Sequence, residues 1–123
     1  MTNTIEIEPL SVWWADVKLE MRIDSEYYVS KKSFERPVLI VDNKAYLVFK
    51  ITSRTERDGY KIVDLSAAGL PKESIIRTDI LVPLSDSDLR YRMGALSEID
   101  REGLVAYLKS HSPSRIMGTN QQY

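Results

Sequence analysis

Apolar and polar positions alternate along much of this chain with the two-residue period of β-strands, and one stretch near the C-terminus shifts to a helical pattern. Ser11-Val12-Trp13-Trp14-Ala15-Asp16-Val17 is rich in strand formers, with Val12 and Trp14 on one face and Trp13, Ala15 and Val17 on the other. Large aromatics on both faces predict a strand covered on both sides. Pro37-Val38-Leu39-Ile40-Val41 is a continuous apolar run ending at Asp42-Asn43, and Ala45 to Thr52 returns from that turn, which predicts a hairpin. Arg36 at its entry and Thr52-Ser53 at its exit are then near neighbours.

Between Lys18 and Glu35 the alternation weakens, with a turn expected at Asp24-Ser25-Glu26 and a short strand at Tyr27-Tyr28-Val29. Two readings stay open for this stretch. It is either a polar loop that closes over a site, its tyrosines stacking on bases, or a hairpin whose tyrosines pack outside the barrel.

Further on, Tyr60 to Asp64 reads as a short strand and Leu65 to Leu70 as a brief helical turn ending at Gly69. Ser74 to Val82 is a strand entered from the turn-rich Ala68-Gly69-Leu70-Pro71. Asp86 to Gly94 reads as a mixed connection. Ser97-Glu98-Ile99-Asp100 resembles a capping box and opens a helix to about Ser110, with Ile99, Leu104, Val105 and Leu108 as its barrel-facing stripe. Residues 1–10 form a polar extension, 11–110 a single domain, and 111–123 a polar tail expected to be disordered.

A chain of 123 residues with 43% apolar and 28% charged content suits one mainly-β domain with one helix at its end, an α+β fold dominated by strands. No apolar run approaches the ~20 residues that span a bilayer, and the start has no basic, then apolar, leader pattern. A cytoplasmic protein with no membrane partner is the expectation. The absence of cysteine excludes disulfides, thiolate zinc sites and a cysteine nucleophile, and the single histidine, His111, excludes a two-histidine acid–base pair. Any catalysis falls to Asp, Glu, Arg, Lys, Tyr, Ser or Thr, and no cofactor or metal is implied.

The net charge of −1 argues against a surface uniformly built for nucleic acid. Its distribution is uneven: residues 1–30 carry a net −4 and residues 31–61 a net +4. The positive segment is either a solvated loop region or an anion-facing surface.

Candidate chemistry centres on Arg77 and Asp79, which leave the same strand face about 7 Å apart along the backbone. Such a pair is an ordinary surface ion pair or part of an acid–base site. The strand order gathers Arg36, Thr52, Ser53, Arg77 and Asp79 at one end of the barrel. Cleaving RNA through its own 2′-hydroxyl needs a base, an acid and cations for the phosphorane, and these residues suffice for it. Walker-type, dinucleotide-binding and nucleophile-elbow motifs are absent.

The ordered series Val12–Val17, Arg36–Val41, Ile51–Arg54, Ala68–Asp79 and Met93–Ser97 resembles the MazF/PemK family of toxins over roughly residues 11–109. The resemblance implies a small SH3-like β-barrel with a C-terminal helix and a homodimer. It also implies a cognate antitoxin protein whose flexible tail occupies the active groove. The implied activity is metal-independent cleavage of single-stranded mRNA, leaving a 2′,3′-cyclic phosphate and a 5′-hydroxyl. Arg36 matches the family's arginine before proline, Thr52 and Ser53 its hydroxyl pair, and Arg77 and Asp79 the Arg-x-Asp of the PemK branch. Asp79 is then the general base, and Arg77 is assigned first to charge stabilisation because an arginine is a poor acid. Ser53, Arg54, Lys31, Lys32, Tyr27 and Tyr28 are the expected RNA contacts. The chain departs from the family at Ile80, where many members carry glutamine, and in having no histidine in the first loop. Two alternatives use the same barrel without cleavage: a CcdB-like poison of DNA gyrase, and a non-catalytic barrel binding a protein or nucleic acid.

Overall fold

The computed structural model describes residues 7–118. Strands β1 (Ser11–Ile23), β2 (Glu26–Asp42), β3 (Leu47–Thr52), β4 (Tyr60–Lys61), β5 (Ile75–Pro83), β6 (Leu89–Ala95) and β7 (Arg115–Ile116) accompany two α-helices, α1 (Leu65–Ala68) and α2 (Glu98–Leu108), and a 3-10 turn at Asp86–Asp88. The antiparallel order is β4-β5-β3-β2-β1-β6, and β7 adds in parallel to β5. The sheet curls strongly into a half barrel. None of the described helices is long and apolar enough to cross a membrane.

Side-chain alternation divides the interior into two cores on opposite faces of this sheet. Val12, Leu39, Phe49, Ile51 and Ile76 join Leu104 of α2 in one, while Trp13, Ala15, Val17, Val38, Ile40 and Val48 form the other. Neighbouring positions in β1, β2 and β3 thus go to opposite cores, as the double-sided apolar pattern requires. Trp13 is buried in the second core; Trp14, on the face of Val12, stacks on Tyr91 with ring centroids 6.3 Å apart.

The uncertain stretch from Lys18 to Glu35 is a hairpin, not a loop. β1 and β2 stay paired from Val12↔Leu39 to Ile23↔Glu26, with one irregularity between Lys18 and Glu20. Asp24 and Ser25 make the turn with φ of 51° and 67°, the left-handed pair that matches strand twist in a two-residue hairpin.

Several expected boundaries move for identifiable reasons. The short strand at Tyr60 stops at Lys61 because the backbone N–H groups of Val63 and Asp64 leave the sheet to donate to the Asp100 carboxylate, at 2.8 and 2.9 Å. Asp86–Gly94, read as a connection, holds most of β6, in which Leu89, Tyr91 and Met93 alternate with Arg90 and Arg92 in the two-residue period of a strand. α1 ends on Gly69 at φ 72°, and a Cβ there would strike the Met93 carbonyl, so glycine allows α1 to lie directly on β6.

Ser97 caps α2, its hydroxyl accepting from the Asp100 N–H, but the expected apolar stripe is wrong in half its members. Leu104 is buried and Leu108 partly so, whereas Ile99 and Val105 are 65% and 56% exposed. The helix is rotated so that Asp100, fully buried, faces inward beside Leu104.

The stretch 111–118, expected to be disordered, returns to the sheet. Ser114 N–H donates to the Asp79 carbonyl and Met117 N–H to the Leu81 carbonyl, and Met117 enters the second core. Arg115 makes a bidentate ion pair with Glu20, which also accepts from the Gly118 N–H. The expected extension over residues 1–6 and the tail at 119–123 lie outside the described residues.

Candidate functional site

Three adjacent strands build a cationic cleft of about 270 Å³ lined by Arg36, Lys50, Thr52, Arg54, Arg57 and Arg77. β2 and β3 pair Val38 with Lys50, and β3 and β5 pair Lys50 with Arg77, so Lys50 is central. The same antiparallel register brings Arg36, two residues before Val38, level with Thr52, two residues after Lys50. Thr52 Oγ1 accepts from the Arg54 N–H at 3.1 Å, leaving the hydroxyl hydrogen to donate elsewhere.

Like charges set directly across a sheet repel, and the titration of the cleft reflects it. Burial first, and then the nearby Arg36 and Arg77, lower the Lys50 pKa; Asp79 and Glu20 oppose this only in part. Burial also lowers the Arg36 pKa. Arg77 donates from Nη2 to Asp79 Oδ2 at 3.2 Å, yet its buried Nε has no hydrogen-bond partner. The six lining residues include five cations and no carboxylate. Such a cleft is chemically suited to an anion, and a phosphate or phosphorane would relieve the repulsion that its cations now share.

Two further clefts adjoin it. A more apolar one of about 420 Å³, which includes Trp14, Pro37, Ser53, Leu70 and Tyr91, shares Thr52 with the cationic cleft. One of about 260 Å³ between β5 and the end of α2 shares Arg77 and is lined by Asp58, Asp79, Tyr107 and His111 among others.

Of the residues singled out from sequence, Arg36, Thr52, Arg54 and Arg77 meet in the cationic cleft. Asp79 is ion-paired with Arg77 but opens onto the cleft beyond it, and Ser53 faces the apolar one. Tyr27, Tyr28 and Lys32 of the β1–β2 hairpin line none of these three clefts. Arg115 lies over the Tyr27 ring, 3.5 Å from its centroid, and the Tyr28 hydroxyl donates to Glu26. Lys32 is exposed on β2, and the Lys31 side chain lies outside the described residues.

Sequence reasoning missed Lys50, Arg57, Tyr107 and His111. A signal existed for Lys50: it lies two residues before Thr52, hence on the same strand face, between the apolar Phe49 and Ile51. Nothing local marked the others. No family model matches this chain, and no curated protein matches it.

Proposed function

We infer that the chain is a ribonuclease of the MazF/PemK kind, the toxin of a type II toxin–antitoxin pair that cleaves single-stranded RNA. The observation that carries this reading is the meeting of Arg36, Lys50, Thr52 and Arg77 in one cleft, with the Asp79 carboxylate held 3.2 Å from the Arg77 guanidinium. A strongly curled, mainly-β sheet with a helix near its end suits the small SH3-like barrel that the reading requires. The homodimer and an antitoxin tail lying along the groove belong to the same proposal.

In the reaction the scissile phosphate occupies the cationic cleft. Asp79 removes the proton from the adjacent 2′-hydroxyl, the 2′-oxygen attacks phosphorus, and the bond from phosphorus to the 5′-oxygen breaks. Arg36, Arg77 and the Thr52 hydroxyl hold the charge on the phosphorane oxygens. The departing 5′-oxygen takes its proton from Lys50, whose pKa is lowered by burial and by the neighbouring Arg36 and Arg77. The products are a 2′,3′-cyclic phosphate and a 5′-hydroxyl, and the proton on Asp79 returns to Lys50 through solvent. The chemistry calls for no metal, since the cleft supplies its own cations.

The test is to incubate the purified protein with a long single-stranded RNA in EDTA and map the new ends. Asp79→Ala should slow cleavage by roughly 10²–10⁴-fold, and Arg77→Ala by roughly 10²–10³-fold. Intact RNA with the wild type, or cutting by both variants as fast as by the wild type, rejects the reading.

A further inference from the structure

The cleft beyond Arg77 lends Asp79 to this chemistry, but the rest of its wall, which holds the chain's only histidine, has no part in it yet. Tyr107 and His111 stack with ring centroids 4.0 Å apart and planes within 7°, and Tyr60 meets the Tyr107 ring edge-on at 6.1 Å. The stack is fixed from two sides. His111 Nδ1 lies 3.2 Å from the Tyr107 carbonyl oxygen, and Thr78 on β5 donates its hydroxyl to the His111 carbonyl at 3.1 Å. Asp58 and Ser112 add an acceptor and a hydroxyl to the same wall.

We propose that this cleft is a nucleobase subsite, taking the base of the nucleotide whose 2′-hydroxyl attacks the phosphate in the cationic cleft. The proposal rests on the ribonuclease reading and gives that site its base preference. Arg77 lines both clefts, so phosphate and base are separated by one side chain, and the ribose between them meets Asp79, which opens onto the base side. A base entering here extends the ring series Tyr60–Tyr107–His111, and aromatic stacking of this kind is strong and tolerant of base identity. Discrimination comes from Asp58. An ionised carboxylate only accepts, so it favours the exocyclic amino group of adenine, cytosine or guanine. Uracil presents its single imino N–H between two carbonyl oxygens, which the carboxylate repels. Cleavage therefore follows amino-bearing bases and avoids sites 3′ to uracil.

The test uses the full chain. Binding is measured with 2′-O-methyl oligo(A), oligo(C) and oligo(U), which cannot be cut, and cleavage is mapped on a mixed-sequence single-stranded RNA. His111→Leu should weaken oligo(A) binding by tenfold or more, and His111→Phe, which keeps a ring, should restore most of it. Asp58→Asn should bring oligo(U) level with oligo(A) and oligo(C) and let cuts appear after uracil. His111 and Asp58 are exposed, so folding is checked by circular dichroism and is expected to be unchanged. If the wild type cuts RNA while His111→Leu and Asp58→Asn keep its affinity and base preference, the subsite is overturned and the ribonuclease stands. If the wild type neither binds nor cuts RNA, both fall together.

Discussion

Two groups of buried or half-buried charge in this protein are treated in opposite ways. Asp100, with no solvent exposure, accepts from the Tyr60 hydroxyl at 2.7 Å, from the Val63 and Asp64 N–H groups, and from the Ser97 hydroxyl at 3.4 Å. Burial alone would raise its pKa, but these donors outweigh burial and leave it below the ordinary value; Tyr60, half-buried and bonded to it, is pushed up to about 12. Arg36, Lys50 and Arg77 line a cleft without a carboxylate among its lining residues, one guanidinium nitrogen of Arg77 lacks a partner, and Lys50 is pushed toward losing its proton. A charge that holds the fold has its hydrogen bonds met inside the chain. A charge reserved for a ligand, as we propose for this cleft, would leave some of them open at a cost to the free protein.

The contrast is sharpest at Asp100. Asp100→Ala leaves a half-buried tyrosine hydroxyl and two backbone N–H groups without an acceptor, so a loss of about 3 kcal/mol is expected in urea denaturation. An unchanged midpoint would show that α2 and the segment after β4 are held by packing alone.

Glu20 and Arg115 are the second satisfied pair, and both side chains are nearly buried. The hydrogen bond from Arg115 lowers the Glu20 pKa against burial, with the Gly118 N–H helping. Glu20→Ala should cost about 2 kcal/mol and release residues 112–118 from the sheet. Limited proteolysis would detect that release; a segment still protected in the variant would mean that Met117 anchors it without the ion pair.

Acid titration separates the groups again. Asp100 and Glu20 have folded pKa values below their unfolded ones, so the unfolded chain binds more protons as pH falls. Their contribution is complete above the unfolded values near 4 and is lost as pH drops through the folded values. Lys50 is shifted in the same direction, so stability again rises with pH, but in an alkaline window and through the loss of a cost. Its folded pKa is below its ordinary 10.5, so its charge costs stability at neutral pH, and this cost disappears as pH rises through the folded value. Denaturation midpoints of the wild type and Lys50→Met as a function of pH should therefore converge on the alkaline side and stay parallel on the acid side.

The smallest expected effect on stability accompanies a clear effect on function. Lys50→Met should leave the free protein as stable or more stable by up to about 1 kcal/mol, because it removes a repelled, half-buried cation. RNA binding should weaken, with the slope of log affinity against log salt reduced by about 0.7 if Lys50 contacts one phosphate. A variant that is less stable and binds RNA with an unchanged slope would make Lys50 a structural residue and erase the contrast.

Much of the frame was legible because strand alternation is local. Val12 and Trp13, or Val38 and Leu39, go to opposite cores simply by being neighbours in extended chain, and Ser97 announced its helix in the same short-range way. The proximity of Arg36 to Thr52 followed from one hairpin. The orientation of α2 did not follow, since Ile99 and Val105 are as apolar as Leu104 and only the pull of Asp100 toward Tyr60, Val63 and Asp64 turned the helix.

The sequence by itself determined a double-covered, strand-dominated sheet, a capped helix near its end, and an Arg77–Asp79 pair on one strand face. Tertiary structure alone decided what that pair adjoins. Lys50 meets Arg77 through the β3–β5 register, and His111 reaches the far side of the pair because α2 ends beside β5. Those neighbours depend on pairings between segments far apart in the chain, where a slip of one residue reverses every side chain, and no local pattern records the register. So Arg77 is not simply half of an ion pair but the wall between two clefts.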